Sequence, residues 1–249
     1  MSAIFHAGIS GYRGRMGRAV SQVLDAREDV VVAARFDWGE TADISLCDVI
    51  IDFSTPDASV ALAQGAAERG GPSLVIGSTG FTPEQEAELM KAAEKIAIVK
   101  SGNFSLGVNI LIGLVQHAAQ RLDAQDWDIE ITEAHHRRKV DSPSGTALML
   151  GEAAAEGRFT DLSEIRSAPY DGVQGERESG KIGFSSIRAG GIIGEHTVLF
   201  ASEDEVLTLS HSAIDRSLFA KGAVAAAACV RTRGPGLYDM QDVLGFRQA

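Results

Sequence analysis

Residues 3–99 alternate short apolar runs with runs of helical spacing, and nothing else in the sequence constrains the fold as strongly. Segments 3–10, 30–34, 48–53, 73–77 and 96–99 are mostly apolar and are bounded by polar or glycine-rich turns. Between the first two, Ala19, Val20, Val23 and Leu24 fall on one face of a helix over 18–24. Ser54-Thr55-Pro56 closes the third run before a helix over 57–69. Thr82-Pro83-Glu84 gives an N-cap with proline in the first turn for a helix reaching about Lys95. Strands separated by helices are joined by crossovers, which makes the sheet parallel and buries both of its faces. Ligands of such sheets bind beyond the carboxyl ends of the strands, so the loops there are where chemistry is expected.

The first of these loops reads Gly11-Tyr12-Arg13-Gly14-Arg15-Met16-Gly17. Strand, glycine turn and helix are the context a dinucleotide fingerprint requires, because glycine lets the backbone approach a pyrophosphate at a helix N-terminus. The spacing is G-x-x-G-x-x-G, not the usual G-x-G-x-x-G, and Gly8 does not restore it. A tight connecting loop is the plain alternative. Asp37 favours the nucleotide, since an acidic residue closing the second strand is placed to accept hydrogen bonds from an adenosine ribose. Its charge repels a 2′-phosphate and so favours NADH. Arg13, Arg15 and Arg35 pull toward NADPH, which stays open. Ser78-Thr79-Gly80 and Ser101-Gly102-Asn103-Phe104 place small polar residues at later strand ends, as a cofactor crevice needs.

A second signature runs from Glu133 to Leu150, EAHHRRKVDSPSGTALML. Upstream, 127–132 alternates Ile129 and Ile131 with Glu130 and Thr132, which is strand spacing. Downstream, the small hydroxyl residues Ser144 and Thr146 start a helix that Ala147, Leu148, Met149 and Leu150 propagate. His135, His136 and Lys139 are therefore expected in a strand-to-helix connection, beside a helix N-terminus suited to a carboxylate. Adjacent residues on extended backbone point to opposite sides, so at most one of the two histidines faces a reacting atom. The bland readings are a solvated histidine pair and an ordinary cap. A zinc site is disfavoured, because neither HExxH nor a thiolate cluster accompanies the pair.

After Asn103 the pattern changes. Residues 108–122 form a long apolar helix, read as the joint between two domains. From Trp127 onward the chain reads as strands, WDIEIT, KIGFSSIRAG, EHTVLFAS and EVLTLSHSA, around a polar loop at 161–180. Residues 217–230 read as a helix stopped near Gly234-Pro235-Gly236, and the tail is apolar enough to pack on the first domain. The expected architecture is α/β. A Rossmann-like parallel-sheet domain over 1–106 is completed by 217–249, and a second, α+β domain over 107–216, to which the resemblance described below assigns substrate binding and oligomerisation, has a mostly antiparallel or mixed sheet. The net charge of −11 argues against nucleic-acid binding, so an anionic ligand needs a local cationic pocket. Cys47 and Cys229 offer no disulfide framework. With no signal peptide evident and the most apolar run, 223–230, too short for a bilayer, a cytoplasmic protein is expected.

With both signatures placed, the chain resembles the 4-hydroxy-tetrahydrodipicolinate reductase (dihydrodipicolinate reductase) family of bacterial lysine and diaminopimelate synthesis. The most specific match is E-A-H-H-x-x-K-V-D-x-P-S-G-T-A over Glu133 to Ala147. G-x-x-G-x-M-G at Gly11, G-S-T-G-F at Gly77, G-N-F-S-L-G-V-N at Gly102 and G-L-Y-D-M-Q-D-V-L at Gly236 support it. So do shorter matches, G-E-R at Gly175, I-G-F at Ile182, R-A-G at Arg188 and G-E-H at Gly194. The resemblance implies NAD(P)H-dependent reduction of a cyclic dicarboxylic imine. His135 would be the general acid, with Lys139 pairing a carboxylate and sharing proton delivery. His136 would contact substrate, and Ser144, Gly145 and Thr146 would hold a carboxylate. Gly11, Tyr12, Arg13, Gly14, Arg15, Met16, Asp37, Gly77, Ser78, Thr79, Ser101, Gly102, Asn103 and Phe104 would line the nucleotide. It further implies a homotetramer built through the second-domain sheet, and a domain joint that closes over the ligands.

The chain departs from the family pattern in three places. Trp38 follows Asp37 where a basic residue is common, Ser142 stands where alanine is usual, and Asp215 precedes Arg216 where serine is common. Two other readings share the glycine turn. A two-domain dehydrogenase of another small amino or carboxylic acid has no reason to carry HHxxK before PSGT. A non-catalytic NAD(H)-sensing protein would leave the His/Lys cluster idle.

Overall fold

The computed structural model describes residues 4–40 and 42–247. Ala3, where the first strand is expected to begin, and the outer ends of the expected domain ranges lie outside them. In chain order the elements are β1 (Phe5–Ser10), α1 (Arg15–Asp25), β2 (Val30–Phe36), β3 (Val49–Asp52), α2 (Pro56–Arg69), β4 (Ser73–Ile76), α3 (Pro83–Ala93), β5 (Ala97–Lys100) and α4 (Leu106–Arg121). There follow β6 (Asp128–His135), α5 (Gly145–Gly157), α6 (Leu162–Ile165), β7 (Ile182–Arg188), β8 (Glu195–Ala201), β9 (Val206–Ser212), α7 (Ser217–Val230), β10 (Gly236–Tyr238) and α8 (Met240–Leu244). The chain divides into two compact units, Gly107–Arg216 and the chain on either side of it.

The first unit is a parallel sheet in the order β10-β5-β4-β3-β1-β2. All four positions of β3 are buried, because each face of the sheet carries its own helical layer. Val49 and Ile51 join the cluster with Val20 and Leu24 of α1 and Ala223 and Ala227 of α7. Ile50 joins the opposite cluster with Ala63 of α2 and Leu89 of α3. The small residues of α7 let it lie close: a Cβ on Gly222 would stand 1.6 Å from the Phe104 carbonyl oxygen. The tail finishes the unit, with β10 pairing along β5 and Met240 buried in the α1/α7 cluster. Thr55 caps α2, and Thr82 with Gln85 forms a capping box on α3. β1 lies between β2 and β3, so the winding reverses there and the crevice opens at its carboxyl end.

The second unit is a mixed sheet, β7-β6-β8-β9, in which β6 pairs parallel with β7 and antiparallel with β8. Ile129 and Ile131 of β6 and Val198 and Phe200 of β8 face the helices. There they pack on Leu111 and Val115 of α4 and Leu150 and Ala154 of α5. The strand expected at 127–132 runs on to His135, because both neighbours hold it: His135 pairs with Arg188 and Glu133 with His196. His135 is thus the last residue of a central strand, not part of the connection that follows. The loop expected at 161–180 contains the one-turn helix α6.

Candidate active site

The candidate side chains fall into two groups, one in each unit. In the first, the turn after β1 shows why its glycines are required. Gly11 has φ +73°, and a Cβ there would meet the Phe53 carbonyl oxygen at 2.8 Å. A Cβ on Gly17 would stand 2.2 Å from the Gly11 oxygen, so only glycine lets α1 pack this close to the turn. The N-cap of α1 is Gly14, with no side-chain cap and no acidic residue in the first turn. Its first N–H groups are therefore open to an anion, and the turn fits a pyrophosphate.

Asp37 follows β2, and one of its carboxylate oxygens lies 3.4 Å from the Arg13 guanidinium. Arg35 is held by Asp25 at 2.5 Å. Thr79 and Gly102 are exposed at the ends of β4 and β5, whereas two neighbours expected to line the nucleotide turn inward. The Ser78 hydroxyl is bonded to Ser59, itself bonded to the buried Asp52. Phe104 is buried against Phe53, edge to face with ring centroids 5.7 Å apart. Only the backbone of these two residues remains for a ligand. Ser101 and Asn103 brace their own turn, the Ser101 hydroxyl donating to the Asn103 carbonyl and the Asn103 side chain accepting from Ser105 N–H.

In the second unit the central group is Glu133, which sequence reasoning did not single out. It is 1% exposed, two residues before His135 and on the same face of β6. Its carboxylate accepts from Arg188 at 2.7 and 2.6 Å, from His135 Nδ1 at 2.6 Å and from Ser144 N–H at 3.1 Å. Burial pushes its pKa up, but the hydrogen bonds from Arg188, His135 and Ser186 more than offset this and bring it down to about 2. An ionised carboxylate can only accept, so His135 carries a proton on Nδ1 and presents Nε2 outward. Gly194 leaves room there, since a Cβ at that position would stand 3.1 Å from Nε2.

The neighbours of His135 are set by strand register. His196 stacks edge to face on it, with centroids 5.1 Å apart, and bonds the Ser144 hydroxyl at 3.0 Å. Burial, then the adjacent His135, pushes the His196 pKa down to about 4, so this ring is neutral at pH 7. Ser144 is committed as well. Its N–H goes to Glu133, and its hydroxyl is shared between Ala147 N–H and His196. Of the three residues expected to hold a carboxylate, Ser144 is thus bonded within the protein, while Gly145 and Thr146 open α5. Lys139 Nζ lies 2.9 Å from Asp141. The ammonium, with help from the Asp141 and Gly145 N–H groups, holds the Asp141 pKa below the usual carboxylate range. Arg188 also donates to the Asp141 carbonyl at 2.6 Å, tying the 136–144 loop to β7. His136 lies half-buried beyond the strand end, its pKa pushed down by burial and by nearby Arg138 and Arg216.

Comparisons with known proteins bear on what this arrangement does. A family model described as dihydrodipicolinate reductase, N-terminus, matches residues 5–104, and one described as dihydrodipicolinate reductase, C-terminus, matches 107–244. The chain is 60% identical to the 4-hydroxy-tetrahydrodipicolinate reductase of Caulobacter vibrioides, covering 100% of both chains. It is 45% identical to the protein of that name from Roseobacter denitrificans, over 96% of each. Among solved structures it is similar to a dipicolinate-bound dihydrodipicolinate reductase from Paenisporosarcina sp. TG-14. That match has a TM-score of 0.78 and 25% identity, covering 95% of this chain and 97% of the other.

Proposed function

The chain belongs to the dihydrodipicolinate reductase family, and we infer that it reduces 4-hydroxy-tetrahydrodipicolinate with NAD(P)H in lysine and diaminopimelate synthesis. The observation that carries a catalytic reading of the second unit is the buried Glu133 carboxylate, which fixes one nitrogen of His135 and leaves the other to act. Loss of the 4-hydroxyl as water turns the substrate into a conjugated imine, and a bound nicotinamide would supply a hydride to C4 of that imine. Completing the reduction takes a proton, and we assign its delivery to His135 Nε2. Glu133 stabilises the ring while it carries that proton and returns it to one orientation afterwards. Lys139 holds a substrate carboxylate and shares in proton delivery, with Gly145 and Thr146 presenting the start of α5 to the same group. That carboxylate takes the place Asp141 occupies against Lys139. His136 contacts the substrate from the edge of the strand.

In the first unit Gly11 to Met16, Asp37, Gly77 to Thr79 and Ser101 to Phe104 hold the dinucleotide, Ser78 and Phe104 by backbone alone. We assign NADH as the preferred donor. Asp37 stands where the ribose hydroxyls bind, and the guanidinium groups of Arg13 and Arg35 are taken up by acidic partners. A homotetramer built on the outer face of the mixed sheet fits the exposure of Ile187 and Val206 there, 50% and 60%. A cytoplasmic site of action follows from the demand for reduced nicotinamide.

The test is steady-state oxidation of NADH and of NADPH with freshly generated 4-hydroxy-tetrahydrodipicolinate, with sedimentation velocity for assembly. Substrate-dependent oxidation, faster with NADH, is expected. Oxidation of neither would end the reductase reading. Preference for NADPH would end the cofactor assignment alone.

A further inference from the structure

We propose that Glu40 is a cofactor-specificity residue: it occupies the Arg13 guanidinium beside the ribose 2′ position and so sets the enzyme against NADPH. The proposal rests on the reading of the first unit as the dinucleotide site. Glu40 touches both elements of that site. One carboxylate oxygen lies 2.6 Å from Arg13 Nη1, and the other accepts from the Asp37 N–H at 3.0 Å. In return the Glu40 N–H donates to the Asp37 carbonyl at 3.0 Å. These two bonds close the turn Asp37-Trp38-Gly39-Glu40, which Gly39 permits with φ +83°. Arg13 rests over the Tyr12 ring, 4.9 Å from its centroid, and sits closer to Glu40 than to Asp37.

An arginine beside the ribose is the usual partner of a 2′-phosphate, and an acidic residue at the end of the second strand the usual partner of a 2′-hydroxyl. Here both stand together, which by themselves would leave the cofactor choice undecided. Glu40 decides it, because its charge occupies the guanidinium that would bind the phosphate. The pKa directions agree: the Glu40 carboxylate raises that of Arg13. Its own is held down by the Asp37 N–H and then by Arg13.

Glu40→Gln keeps an oxygen to accept from the Asp37 N–H while removing the charge. Dissociation constants for NADH and NADPH are read by nicotinamide fluorescence on the full chain, without substrate, in Glu40→Gln, Arg13→Ala and the double variant. The pair is exposed, so the release is worth about a five-fold gain in NADPH affinity, with NADH affinity nearly unchanged. Arg13→Ala is expected to cancel the gain. An unchanged NADPH constant in Glu40→Gln would overturn the proposal, and so would a gain that persists without Arg13. Because binding is read directly, the result for Glu40 does not depend on the reductase assay, and failure to bind either dinucleotide would strike the underlying site instead.

Discussion

Glu133→Gln is the perturbation that most sharply tests how the second unit is built. The substitution keeps the shape and removes the charge. One carboxylate oxygen becomes an amide donor, which must face either the Arg188 guanidinium or the His135 Nδ1–H. The carboxylate accepts from both Arg188 nitrogens, from His135 and from Ser144, and is 1% exposed. Breaking a buried pair by removing one partner costs about 3–5 kcal/mol, because the other charge is left uncompensated. Arg188 is 20% exposed, so the lower end applies, about 3 kcal/mol. In a chain of 249 residues that is a fall in Tm of roughly 6–12 °C by calorimetry. Turnover should fall by about 10²-fold or more, the worth of a positioned acid. Adding Arg188→Met removes the stranded cation, so the double variant should regain stability and stay slow. Turnover that returns together with stability would mean Glu133 only supports the fold, and a Tm unchanged in the single variant would refute the energetic argument.

Other predictions follow from the same geometry. Asp37→Ala should relax discrimination against NADPH in the steady-state ratio of kcat/KM values; an unchanged ratio would remove Asp37 from the ribose. Asp141→Asn should lower KM for the substrate by uncovering Lys139, and a raised KM would instead make Asp141 the residue that positions the lysine. Folded His196 has its pKa near 4 against 6.5 when unfolded, so the unfolded chain takes up the extra proton in that window. Stability should therefore decline as pH falls from about 6.5 and level off near 4, by up to about 3 kcal/mol, with His136 and His211 adding in the same direction. Denaturant titrations of His196→Phe should flatten that limb; one as steep as before would refute the assignment. The Glu133 contribution is lost separately, as pH falls from 4.5 toward 2.

The parallel sheet was legible because its signals are local: apolar runs of strand length, Thr82-Pro83 caps and a glycine turn whose crowding at Gly11 and Gly17 the structure explains. The cap at Ser144 was legible for the same reason. The centre of the second group was not. Glu133 is two residues from His135, a spacing that places them on one face once the strand is known to reach that far. The strand reaches His135 through pairing with β7 and β8, and it is that register which brings in Arg188 and His196 from 53 and 61 residues away. No periodicity within one segment encodes such pairing. The inward turn of the Ser78 hydroxyl was hidden likewise, since a small polar loop residue reads alike whether it faces a ligand or a buried network.

Delivery of the proton by His135 is the step on which the catalytic reading most depends. The direct measurement is kcat of His135→Gln, with freshly generated 4-hydroxy-tetrahydrodipicolinate and NADH, beside its NADH dissociation constant. Turnover lower by roughly 10²–10⁴-fold with NADH binding intact is the predicted result. Turnover close to that of the unmodified enzyme would contradict it and move the acid elsewhere.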